Sequence, residues 1–98
     1  MIVERMTFVM KPGLSKEGIE IAQELRKLVD SPTTVRVYLS MTGQFNVLTE
    51  EIEFEDFEQR AKFWAEVGTK PEFAQLLEKW DTTVADSGGG REFLTLVE

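Results

Sequence analysis

Residues 34–57 hold the pattern that most restricts the fold. Two segments, Val35–Ser40 and Asn46–Phe54, alternate apolar and polar side chains, and the short loop Met41–Phe45 between them carries Gly43. Alternation with period two on both sides of a short Gly-containing loop is the sequence sign of a β-hairpin. The flanking segments can be read as the elements that accompany it.

Upstream, Ile2–Met10 reads as a strand, with Ile2, Met6, Phe8 and Met10 on one face and Val3, Arg5, Thr7 and Val9 on the other. Both faces are apolar or lightly polar, as in a central strand covered on each side. Lys11-Pro12-Gly13 ends it, because Pro cannot donate to the ladder. Ser15 is the expected cap of a first helix, and Leu14 with Ile19 has the spacing of a hydrophobic staple. Ile21, Ala22, Leu25, Leu28 and Val29 form its apolar stripe, and Ser31-Pro32 stops it.

Downstream, Asp56 opens a second helix with Phe57, Ala61, Trp64 and Val67 on its stripe and Gly68 as the residue just past its end. Lys70-Pro71 restarts a helix, with Pro suited to the first turn. Phe73, Leu76, Leu77, Trp80 and Val84 follow at helical intervals. Ser87-Gly88-Gly89-Gly90 reads as a flexible connector, and Phe93, Leu94, Leu96 and Val97 as a last strand. The order is βαββαβ with the second helical region split in two. That is an α+β, ferredoxin-like arrangement, a four-stranded antiparallel sheet with helices on one face. The uncovered face is expected to be apolar, since Val35, Val37 and Leu39 oppose Tyr38, Leu48, Ile52 and Phe54. An apolar face without an intramolecular cover predicts a partner surface, most simply a second copy about a two-fold axis.

Ninety-eight residues fit one domain, and a chain this short gains from pairing. Eighteen acidic side chains against 11 basic ones give a formal net charge of −7, which argues against nucleic acid and against an anionic membrane surface as partners. The N-terminal residues alternate rather than forming a signal peptide, and no apolar run is long enough to span a bilayer, so a cytoplasmic location is expected. The chain has no Cys and no His. Disulfides, thiolate nucleophiles, Ser-His-Asp and Cys-His catalysis, the common zinc sites and the usual haem ligand are thereby excluded.

The layout, the hairpin TGQFNVLTEEIEFEDFEQ, the helix phrase KPEFAQLLEKW and the terminal REFLTLVE together resemble the dimeric α+β-barrel superfamily, and within it the small NIPSNAP-like members. The resemblance covers nearly the whole chain. It implies two ferredoxin-like sheets packed face to face across a homodimer interface, with any ligand cleft between a subunit's sheet and its helices. The superfamily also includes monooxygenases and haem-using enzymes. The haem-using and His-dependent members rely on a histidine that this chain lacks, so no cofactor is carried over.

Candidate ligand-binding residues are Arg36, Tyr38, Asn46, Glu50, Trp64 and Arg5. If Ser40 pairs with Asn46, Tyr38 falls opposite Leu48 and Arg36 opposite Glu50, so Arg36, Tyr38, Asn46 and Glu50 share one face with Leu48 and Ile52. Polar groups set among apolar ones are the lining of a small-molecule pocket; the alternative is a cross-strand ion pair. A register shifted by one residue would separate them. Arg5 either binds a substrate carboxylate or answers an interior Glu, and Trp64 and Trp80 either shape a cleft for a planar ligand or fill core. Six carboxylates crowd residues 50–58, but without the spacing of a calcium loop, and no metal is expected. Two functions follow: a homodimeric NIPSNAP-like protein that binds a small hydrophobic or aromatic ligand, or a cofactor-independent monooxygenase acting on an aromatic polyketide-like substrate. In the second, Asn46, Tyr38, Trp64 and Arg36 hold a substrate whose carbanion reacts with O₂, and Glu50 serves as base if burial raises its pKa.

Overall fold

The computed structural model describes residues 1–28, 33–85 and 89–97. In chain order these form β1 (Ile2–Val9), α1 (Ser15–Arg26), β2 (Val35–Leu39), β3 (Val47–Phe54), α2 (Phe57–Gly68), α3 (Pro71–Thr83) and β4 (Gly90–Thr95). The four strands make one antiparallel sheet in the order β2-β3-β1-β4. This is the expected ferredoxin-like βαββαβ fold with the second helix split. α1 ends at Arg26, so Leu28 of the expected stripe lies past the helix, while Val29, the stop at Ser31-Pro32 and the Ser87-Gly88 part of the connector lie outside the described residues.

All three helices cover one face of the sheet. Phe63 and Val67 of α2 join Met6, Ile52 and Phe54 in one buried cluster, and Ala22 of α1 joins Met10 and Leu48 in another, with Trp80 of α3 against it. Two helix starts follow from local chemistry. The Asp56 carboxylate accepts from the Gln59 N–H at 2.8 Å and caps α2, while Pro71, which lacks an N–H, occupies the first turn of α3. Ser15 does not cap α1. Leu14 holds that position, and the Ser15 hydroxyl donates instead to Asn46 Oδ1 at 2.9 Å. Gly68 is the last residue of α2 rather than the one beyond it, and β4 ends at Thr95, leaving Leu96 and Val97 exposed.

The hairpin register differs by one residue from the expected pairing. Asn46 has a left-handed backbone, φ 63°, a conformation Asn tolerates better than most residues. It therefore belongs to the turn, as does Gly43 at φ 79°. The Ser40 N–H reaches the Val47 carbonyl at 2.9 Å, and the ladder runs Leu39↔Leu48, Tyr38↔Thr49, Val37↔Glu50, Arg36↔Glu51 and Val35↔Ile52. Since side chains alternate, one step moves Arg36 and Tyr38 to the face opposite Glu50. Val35, Val37, Leu39, Leu48, Ile52 and Phe54 then share the helix-covered face. The open face is less apolar than expected. It carries Val3, Val9, Val47, Leu94 and Tyr38 together with the ion pairs Arg5–Glu51 and Arg36–Glu53.

Candidate functional site

Between the sheet and its helices lies a cavity of about 430 Å³. Its floor is Met6 and Phe8 from β1, Val35 from β2, Glu50 from β3 and Arg91 from β4. Its roof is Leu25 and Arg26 from α1, Arg60, Phe63, Trp64 and Val67 from α2, and Phe73, Leu77 and Trp80 from α3. The aromatic rings meet edge to face, Phe8 with Trp80 at 4.8 Å and Phe63 with Trp64 at 5.2 Å between centroids. Edge-to-face packing fixes ring orientations, so the wall is pre-shaped for a flat apolar guest.

One end of the cavity is braced by a buried charge. Glu4 is fully buried on β1, facing the helices. Its carboxylate accepts from Arg60 Nε at 3.1 Å and Nη2 at 3.0 Å and from Trp64 Nε1 at 2.8 Å, and it forms an ion pair with Arg91 Nε at 3.1 Å. The paired guanidinium of Arg60 also lies 5.0 Å from the centre of the Phe93 ring. A carboxylate taken out of water survives only with such partners, and this one has both charge compensation and a filled set of hydrogen bonds. Glu4 thereby orients three of the side chains around the cavity.

Glu50 stands in a different position. It lies on the same sheet face as Glu4, diagonally across the β1–β3 ladder, and lines the cavity. Burial, and secondarily the nearby charge of Glu4, push its carboxyl up to about 7, while Arg26 draws it down. A carboxyl that changes charge near neutrality beside an apolar cavity can take a proton from a bound molecule or return one.

The sequence candidates divide into groups. Glu50 and Trp64 meet at the cavity. Arg5 and Tyr38 share a shallow depression on the open face with Thr7, Thr49, Glu51 and Glu92, and Arg5 Nε contacts Glu51 at 2.8 Å. Arg36 is on that same face, bonded to Glu53 rather than set opposite Glu50. Asn46 is in the turn, held by Ser15. Sequence reasoning missed Glu4, Arg60 and Arg91. A signal for Glu4 was available, since alternation places it inward between Ile2 and Met6; the two arginines carried none, because their partner is distant in sequence. Among the described residues no cluster of acidic side chains is arranged to hold a metal ion, and no helix is long and apolar enough to cross a membrane.

No protein family matches the chain by sequence, and no curated protein does. Solved structures do match in shape. A NIPSNAP domain protein from Burkholderia xenovorans superposes with a TM-score of 0.80 at 16% identity, over 99% of this chain and 95% of that one. An antibiotic biosynthesis monooxygenase superposes with a TM-score of 0.73 at 15% identity, over the full length of both. SnoaB, a cofactor-independent oxygenase from Streptomyces nogalater, does so at 0.71 and 9% identity, over 99% and 93%. At these identities the likeness shows the fold alone, the ferredoxin-like arrangement shared with these NIPSNAP and monooxygenase structures.

Proposed function

We propose that the chain is a single-domain NIPSNAP-like protein that works as a homodimer and binds a small, flat, apolar ligand between its sheet and its helices. The observation that carries this reading is the aromatic cavity of about 430 Å³, within the volume range of small-molecule sites. Pairing through the open sheet face is supported by its composition. Val3, Val9, Val47 and Leu94 are half-buried there, Tyr38 is exposed, and Arg5 and Arg36 already have carboxylate partners. Charges that arrive at an interface already paired avoid the heavy cost of being buried alone.

The test is a screen of flat aromatic compounds, read by thermal stabilisation and by quenching of Trp64 and Trp80, repeated with Leu77→Trp. Leu77 is 40% exposed at the cavity wall, so a larger ring there fills the space without disturbing the core. Binding that disappears in the variant supports the reading. A screen with no stabilising compound overturns it.

The cofactor-independent monooxygenase reading is favoured by one observation, the position of Glu50. Its carboxylate form would remove a proton from an activated C–H of the ligand, and the resulting carbanion would be oxidised by O₂, one oxygen atom staying on that carbon as a carbonyl and the other leaving as water. Trp64 keeps its place in that scheme, whereas Asn46, Tyr38 and Arg36 do not line the cavity. Oxygen consumption with an anthrone or quinol, lost in Glu50→Gln, is the expected result; no consumption removes this second reading.

A further inference from the structure

The charge around the cavity is unbalanced. Arg26, Arg60 and Arg91 line it, against one lining carboxyl, Glu50. Glu4, behind the wall, is shared by Arg60 and Arg91, so those two guanidinium groups together retain excess positive charge. Among the described residues Arg26 makes no ion pair within 4 Å. The five groups are net positive whichever form Glu50 takes. Guanidinium groups beside aromatic walls, outnumbering the protein carboxyls that answer them, suit a planar oxyanion on an apolar body.

We infer that the ligand of this cavity is a monoanionic amphiphile, a flat ring system bearing one carboxylate, with the rings against Trp64 and Trp80 and the anion received by Arg26 and Arg91. The inference rests on the cavity being the ligand site. It also specifies how binding responds to pH. Glu4 from β1 and Arg26 from α1 act on Glu50, Arg60 from α2 and Arg91 from β4 line the same cavity, and the lining residues of α3 are uncharged. A ligand anion beside Glu50 favours the protonated carboxyl. Binding therefore takes up a proton and weakens as the pH rises past the point where Glu50 ionises.

The experiment compares 2-naphthoate with 2-naphthamide, which share a shape and differ in charge. Each is titrated against the full chain from about pH 5.5 to about pH 8.5, where a simple carboxylate stays ionised. At the acid end naphthoate is expected to bind about tenfold more tightly than the amide, the worth of a charge-assisted hydrogen bond. That advantage shrinks toward the alkaline end, and Glu50→Gln flattens the dependence. Arg26→Gln lowers naphthoate affinity severalfold, and by more than it lowers naphthamide affinity; Arg26 is exposed at the end of α1, so this variant keeps the fold even if Arg91→Gln does not. If the amide binds as well as the acid and both are lost in Leu77→Trp, the cavity is a ligand site but the anion inference is wrong. If neither probe binds, the binding reading fails and takes the inference with it.

Discussion

Glu50 is kept toward its protonated form first by burial and then by Glu4, its diagonal neighbour on the adjacent strand. The two carboxyls share a sheet face and differ in their company. Glu4 accepts from one guanidinium group and an indole and is paired with a second guanidinium group. Glu50 has the more distant attraction of Arg26 and an apolar wall. One is thereby a brace and the other a titrating group, although both are glutamates on strands.

The brace predicts a large stability effect. Glu4→Ala leaves the Trp64 N–H and the half-buried Arg60 without their acceptor, while Arg91, whose side chain is 54% exposed, can turn to water. Removing one member of a buried ion pair costs about 3–5 kcal/mol, which chemical denaturation will read as a lower midpoint with an unchanged slope. Trp64→Phe removes a single donor and should cost about 1–2 kcal/mol. Equal losses in the two variants would contradict the role given to Glu4.

The titrating group predicts a pH dependence of definite sign. Unfolded, Glu50 releases its proton near 4.5; folded, it holds it to about 7. Between these values the native state binds more protons, so its contribution to stability falls as pH rises and levels off above neutrality. The loss should be roughly 1–3 kcal/mol between about pH 4.5 and about pH 8. Glu50→Gln should abolish it and be the more stable protein on the alkaline side. Urea titrations at both ends check this, and a variant with the parent's pH profile would contradict it.

A third prediction concerns how closely α1 approaches the sheet. A Cβ at Gly18 would overlap Met10 Sδ, and Met10 is 1% exposed and enclosed by Ala22 and Leu48. Helix propensity favours Gly18→Ala by about 1 kcal/mol, but overpacking costs about 1–3 kcal/mol. The net change should be destabilising. It should also be non-additive with Met10→Ala, with a coupling of about 1 kcal/mol in a double-mutant cycle. Additive changes would mean that the two residues do not interfere.

The open face predicts a molecular mass near twice 11.2 kDa by light scattering. Tyr38→Asp, at a position 47% exposed and outside the core, should shift the protein to monomer without unfolding it. A monomeric parent protein would remove the dimer from the proposed function.

These elements were unequally legible in the sequence. The strands, helices and their order follow from periodicity and punctuation, because Asp56, Pro71 and the apolar stripes act within a turn of the residues they govern. The hairpin register depended on the sign of one backbone angle at Asn46, a residue whose hydroxyl partner is in another element, at Ser15. That single step separated Glu50 from Arg36 and Tyr38 and divided the expected site between two faces. The brace was harder still. Glu4 interrupts an inward apolar alternation, which is visible, but nothing near it in the chain indicates which cations answer it.

That separation has a consequence in time. A growing chain presents Glu4 at once, whereas Arg60 and Trp64 follow it by 56 and 60 residues and Arg91 comes later again. At ordinary rates of synthesis, about 5–20 residues per second, the carboxylate waits in water for several seconds before its last partner exists. Until then β1 cannot be sealed under α2 at low cost. The cavity is thus a late product of assembly, and a ligand that fits it encounters only finished chains.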